Sequence, residues 1–185
     1  MNYLLNPENK ISHTDLAEKV FKCCHLTGDF LLRSGQRSNE YFDKYKLESN
    51  PEILFQIAMQ MKPLIPAGTE VLAGLEMGGI PVATALSLLT GLPVTFVRKK
   101  AKDYGTCQFA EGAEVKNKNV CIIEDVITSG GQVILSTDDL RKSSKANISS
   151  VLCIINRGGD EALKKLRLHN LELRSLFNKE DFTKY

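Results

Sequence analysis

One stretch constrains this chain more than any other: CIIEDVITSGG, residues 121–131, in which an aliphatic run ends in two adjacent acids and then in a turn of hydroxyls and glycines. A short continuous apolar run of this kind fits a strand buried on both faces. Burying a carboxylate at its end is costly unless the charge is paired or hydrogen-bonded, and a second carboxylate beside it adds repulsion. Glu124 and Asp125 therefore require compensating partners. Downstream, Thr128 to Gly131 lead into a helical stretch from Gln132. Their amides are placed to point at a common centre, and glycine allows the backbone to approach a ligand closely. This is the pattern of a phosphate cradle. It is neither GxxxxGK[ST] nor GxGxxG, so the acids serve another part of the ligand. A ribose phosphate satisfies both ends, with its phosphate on the amides and its hydroxyls on Glu124 and Asp125. A capped, partly solvated turn is the competing reading of the same residues.

The strand, loop and helix grain of that stretch repeats along the chain. EVLAG (70–74) reads as a strand, LEMGG as a loop and IPVATALSLLTG as a helix ended by Gly91. LPVTFVRKK and SVLCIIN supply further strands, and 132–142 and 161–168 further helices. The alternation predicts an α/β fold with a parallel sheet flanked by helices, where ligands gather beyond the carboxyl ends of the strands. Upstream, Leu16, Val20 and Phe21 recur at helical spacing over about 12–24, FLLRSGQRSNEYFDKY reads as a hairpin around Ser34-Gly35, and Asn50-Pro51 starts a helix that ends near Pro63. Residues 102–114 are polar, broken by Gly105, Thr106 and Gly112, and read as a long mobile loop. No repeat or linker divides the chain, so 1–185 is expected to be a single domain with about 1–48 as a small accessory subdomain.

Bulk properties narrow the function. A net charge of +2 provides no polybasic field of the kind nucleic-acid binding needs, and no segment reaches the roughly 18 uncharged residues of a membrane span. Five cysteines, none in CxxC spacing, read as reduced thiols of a cytoplasmic protein. His13, His25 and His169 are scattered, without HExxH or another metal-ligand pattern.

The order strand, EDVITSGG, helix resembles the 5-phosphoribosyl 1-pyrophosphate (PRPP) signature of type I phosphoribosyltransferases. Two further stretches, FLLRSGQRSNEYFDKY and VRKKAKDYGTCQFAEG, are similar to the orotate-using members of that family. The resemblance covers about residues 30–157 and implies a small N-terminal hood, a lid loop, and transfer of ribose 5-phosphate from PRPP to orotate. It further implies a homodimer that shares its lids, and Mg²⁺ held mainly by PRPP and water.

Residue by residue, the resemblance assigns PRPP to Arg98, Lys99, Tyr104, Met77, Gly78, Glu124, Asp125, Val126, Ile127, Thr128, Ser129, Gly130 and Gly131. Lys102 and Asp125 are the expected catalytic residues. A basic group at a strand's carboxyl end, leading into a glycine-containing loop able to close, suits the charge that grows on departing pyrophosphate. Some members carry lysine at Gly78 and histidine at Tyr104, and a phenol adds no positive charge near neutral pH. Orotate, a flat ring with a carboxylate, is assigned to Arg33, Tyr41, Phe42, Thr128 and Arg157, with Arg157 on the carboxylate. Asp43 and Lys44 read as a surface ion pair. Two other functions share parts of this pattern: a type I enzyme acting on a purine or uracil, which has no need of Arg157, and a PRPP-sensing regulator without turnover.

Overall fold

A computed structural model describes residues 6–31, 35–99 and 109–185. The first helix, α1 (His13–Cys24), begins where Ser12 Oγ accepts a hydrogen bond from the Asp15 amide at 3.1 Å. Strands β1 (His25–Leu31) and β2 (Arg37–Phe42) pair antiparallel in a sheet of their own. A single turn, α2 (Tyr45–Glu48), leads into α3 (Pro51–Met61), which Asn50 caps through the Ile53 amide at 3.1 Å with Pro51 in the first position.

The remaining elements are β3 (Val71–Leu75), α4 (Gly79–Thr90), β4 (Val94–Val97), β5 (Ala110–Gly112), β6 (Asn119–Ile127), α5 (Gly131–Ser144), β7 (Asn147–Asn156), α6 (Gly159–Leu168) and β8 (Glu172–Asn178). They build a six-stranded sheet in the order β5-β4-β3-β6-β7-β8, parallel throughout except for the antiparallel edge strand β5. The expected α/β architecture with helices on both faces is thus present. The chain winds outward from β3 in one direction and from β6 in the other, so the crevice between their carboxyl ends is the switch point where ligands bind in open sheets.

Strand alternation sorts the core into two layers. Leu72, Cys121, Ile123 and Leu152 pack with α1, α3 and α4, whereas Val71, Ala73, Ile122, Val151 and Cys153 pack with α5 and α6. The same alternation sends the neighbours Glu124 and Asp125 to opposite faces.

Three features depart from the sequence reading. Residues 110–112 pair with β4 rather than belonging to a continuous loop, in a strand too short to show a period. β8 extends the sheet beyond the last element expected from pattern. After it, a 3₁₀ turn (Lys179–Phe182) brings Phe182 within 5.4 Å of Phe177, 6.1 Å of Phe42 and 6.5 Å of Phe21, measured between ring centroids. The end of the chain thereby braces α1 and β2. Phe177 is fully buried at the base of this cluster. Truncation to alanine is expected to lower the unfolding free energy by about 3–5 kcal/mol in a urea titration.

Candidate active site

Asp125 is completely buried and Glu124 nearly so, at the carboxyl end of the central strand β6. Part of their compensation is local: the Asp125 amide donates to Glu124 Oε1 at 3.0 Å and the Val126 amide to Asp125 Oδ1 at 2.5 Å. The remainder comes from across the switch point. Lys44 Nζ lies 2.5 Å from Asp125 Oδ2, which corrects the expectation of a surface pair with Asp43. Asp43 Oδ1 instead accepts from the Tyr45 amide at 3.1 Å and starts the α2 turn. One turn along α2, the Glu48 carboxyl also reaches Asp125. The turn after β3 closes this corner. A Cβ on Gly78 would collide with the Asp125 carboxylate and stand 2.8 Å from Glu48 Oε1, so only glycine leaves room for both acids.

On the other face, Glu124 lines a hollow of about 280 Å³ with the backbone of 126–131, in front of the α5 N-terminus. Gly130 takes φ 71°, a left-handed conformation that turns the chain into the helix. Beside it, Lys165 Nζ of α6 lies 3.7 Å from where a Cβ on Gly131 would be. Ile127 is buried in the core, but its carbonyl accepts from the amides of Arg157 (2.8 Å) and Gly158 (3.2 Å), tying the loop after β7 to the loop after β6. A second hollow, about 100 Å³, joins Arg157 to Phe42, Phe21, Ile155, Lys179 and Phe182. Two larger hollows lie elsewhere, one at the amino ends of β6 and β7 and one along the β4–β5 edge. Neither collects a comparable set of acids and loop amides.

The site therefore offers a backbone cradle, a buried ion pair and an aromatic pocket with an arginine, all at the carboxyl ends of adjacent strands. A model of the phosphoribosyl transferase domain matches residues 45–172. An orotate phosphoribosyltransferase from Nocardioides sp. is 47% identical over 168 residues, spanning 90% of this chain and 92% of that one. Among solved structures, orotate phosphoribosyltransferase from Mycobacterium tuberculosis, in complex with Fe(III) dicitrate, superposes with a TM-score of 0.82 at 26% identity, covering 92% and 98% of the two chains. A second structure of that enzyme, in complex with PRPP, has the same fold (TM-score 0.77, 24% identity, 92% and 98% coverage). This chain belongs to the phosphoribosyltransferase family.

Not every residue expected at the site of this phosphoribosyltransferase is brought to it. Tyr41 is exposed and faces Phe30 at 5.4 Å, on the opposite side of β2 from Phe42, as strand alternation requires. Arg98 is paired with Glu111 of the edge strand β5 at 3.4 Å. Lys99 approaches through its backbone, its amide donating to Glu76 Oε2 at 3.4 Å beside the 76–79 turn. Met77 is exposed on that turn, and Thr128 and Ser129 are exposed at the rim of the cradle. Arg33, Lys102 and Tyr104 lie outside the described residues. Five residues at or beside the site were not anticipated: Lys44, Glu48, Lys165, Lys179 and Phe182. Lys44 and Glu48 do carry a signal, an oppositely charged pair at i, i+4 in KYKLE.

The electrostatics of the phosphoribosyltransferase site follow from burial and this pairing. Burial pushes Glu124 well above the ordinary carboxyl range, and its contact with Asp125 adds to the rise. Glu48 is pushed up to about 8, again by burial first and Asp125 second. Burial would also raise Asp125, but hydrogen bonds from Glu124, Lys44 and Glu48 outweigh it and hold this carboxyl below its usual value. Lys44 loses by burial yet ends above ordinary lysine because Asp125 favours its charge. Asp125 is thus the ionised member of the group. A depressed carboxyl contributes stability above its unfolded pKa, about 3.9, that is lost as pH falls through the depressed value. Lys44→Ala is accordingly expected to cost about 1–3 kcal/mol at neutral pH, less than a wholly buried pair because a third of Lys44 is solvated. The difference from wild type should vanish in denaturation curves taken in strong acid.

Proposed function

We propose that this phosphoribosyltransferase joins orotate to the ribose 5-phosphate of PRPP, giving orotidine 5'-monophosphate and pyrophosphate, a step of pyrimidine synthesis. The observation that carries the reading is that three unlike surfaces gather at the carboxyl ends of β6 and β7: the 126–131 cradle, the buried Asp125 and the Phe42–Arg157 pocket. The cradle amides of Thr128, Ser129, Gly130 and Gly131 hold the 5-phosphate, and Glu124 and Asp125 engage the ribose hydroxyls. Val126 and Ile127 anchor that loop in the core. Arg157 faces the orotate carboxylate, Thr128 shares that contact, and Phe42 lies against the ring; Arg33 is assigned to the same ligand. Met77 and Gly78 present backbone to the pyrophosphate, which Arg98, Lys99, Lys102 and Tyr104 meet from the lid side.

The reaction needs no covalent nucleophile. The bond from the sugar C1 to pyrophosphate breaks, positive charge develops on the ribose ring, and orotate N1 supplies the electron pair of the new bond. Lys102 meets the charge growing on the leaving group, while the walls of the crevice keep the reactants aligned and dry. The family implies a divalent ion. Among the described residues no group of three or more His, Cys, Asp or Glu side chains is arranged to hold a metal. We assign Mg²⁺ to PRPP oxygens and water, with the acids at the end of β6 offsetting its charge. Bound there, it neutralises pyrophosphate. We assign the protein to a homodimer whose lids complete each other's sites, with residues 1–48 as the hood of a single domain. The unpaired thiols of Cys24, Cys121 and Cys153 fit the cytoplasm.

The test is pyrophosphate release with orotate, uracil, adenine or hypoxanthine beside PRPP. Orotate alone should support turnover, and equal use of uracil would point to a different base specificity. Arg157→Ala should raise the KM for orotate about tenfold to a hundredfold, the loss of a charge-assisted contact worth about 1.5–3 kcal/mol, with the KM for PRPP nearly unchanged.

A further inference from the structure

Two oxygens stand out in the interior of the site. Glu48 Oε1 is buried without a hydrogen-bond donor, and Asp125 Oδ2, buried with Lys44 as its one cation among the described residues, lies against the same point beside Gly78. Ionised carboxylates only accept, so two of them in hydrogen-bonding reach repel unless a proton lies between. Lys44 does not remove the difficulty. Its ammonium sits on Asp125 Oδ2, and no ion pair joins it to Glu48 among the described residues.

We propose that Glu48 is a positioning residue for the ribose-binding carboxylate: it keeps a proton on a hydrogen bond to Asp125 Oδ2 and so leaves Asp125 as the charge that faces Lys44 and the sugar. The arrangement rests on the reading of the site as a PRPP site. It makes Asp125 an oriented acceptor before ligand arrives, held through Oδ1 by the Val126 amide and through Oδ2 by α2. With Glu48 ionised, the same corner carries one more negative charge beside a site built for an anionic sugar diphosphate.

The groups that act on Glu48 are few. Asp43 and Lys44 belong to its own turn and Asp125 to β6, while Tyr45 and Glu124 act on Lys44 beside it. The buried thiols around this corner, Cys24 of α1 against Leu47 and Cys153 of β7 against the acids of β6, are raised, the first to about 12, and neither ionises near neutrality. Glu48 itself is raised to about 8 by burial and by Asp125, so it is largely protonated at pH 7. Its binding role is therefore present at neutral pH and is lost as pH rises through that value.

The experiment is the affinity for PRPP, by calorimetry, from pH 6.5 to 9.5 in wild type, Glu48→Gln and Glu48→Ala. Wild type should lose affinity above about pH 8, approaching tenfold per pH unit for one linked proton. Glu48→Gln, which keeps the donor and cannot ionise, should bind at neutral pH and lose that alkaline limb. Glu48→Ala should bind more weakly than the glutamine variant at every pH. Identical pH profiles in wild type and Glu48→Gln, or equal damage from both substitutions, would overturn the proposal. Failure of wild type to bind PRPP would instead overturn the functional reading. Should the variants not fold, carbon-13 spectra of the unaltered protein with the Glu48 and Glu124 signals assigned decide: a neutral Glu48 carboxyl at pH 7 is expected, and an ionised Glu48 contradicts it.

Discussion

The ion pair between Lys44 and Asp125 is the contact on which the rest of the site depends. A carboxylate at the end of a buried central strand is stable only if something brings a cation to it, and here the cation comes from the turn that follows the hairpin. That requirement draws α2 over the switch point and selects glycine at position 78, where any side chain would strike the carboxylate. The turn follows directly on β2, whose last residue, Phe42, packs on Phe182. One electrostatic debt in the core thus helps to place the N-terminal elements on the sheet.

The two faces of β6 divide the work. Because successive side chains alternate, Glu124 turns toward the cradle in front of α5 while Asp125 turns toward α2 and the turn after β3. A ligand lying across the strand end meets backbone amides on one side and an ionised, oriented acid on the other. Arg157 enters beside them because the loops after β6 and β7 are bonded through the Ile127 carbonyl. Burial and hydrogen bonding supply the contrast in charge: the acidic neighbours Glu124 and Glu48 are pushed toward their neutral forms, and Asp125 is the acid held ionised, opposite the charged Lys44.

Much of this was legible in the chain. The strand, acids and glycine turn of 121–131 are contiguous, so their geometry is local and follows from period and residue type. The helix caps at Ser12, Asn50 and Gly91 are local in the same way. What escaped depends on contacts between distant segments. Lys44 beside Asp43 looks like a solvated charge, and only the packing of α2 against β6 makes it a buried partner. β5 is too short to show alternation, and the bracing of Phe42 by Phe182 unites the two ends of the described chain. Tyr41 and Phe42 illustrate the limit well: adjacent aromatics suggest one wall, but a strand sends them to opposite sides.

The central claim is that the buried Asp125 carboxylate is the part of this framework that recognises ribose. Its most direct measurement is PRPP affinity of Asp125→Asn against wild type by titration calorimetry, with circular dichroism to verify the fold. The account predicts a variant that folds yet binds PRPP at least tenfold more weakly, the loss of roughly 1.4 kcal/mol or more expected when a charge-assisted hydrogen bond is removed. A folded Asp125→Asn protein with wild-type affinity for PRPP would contradict it.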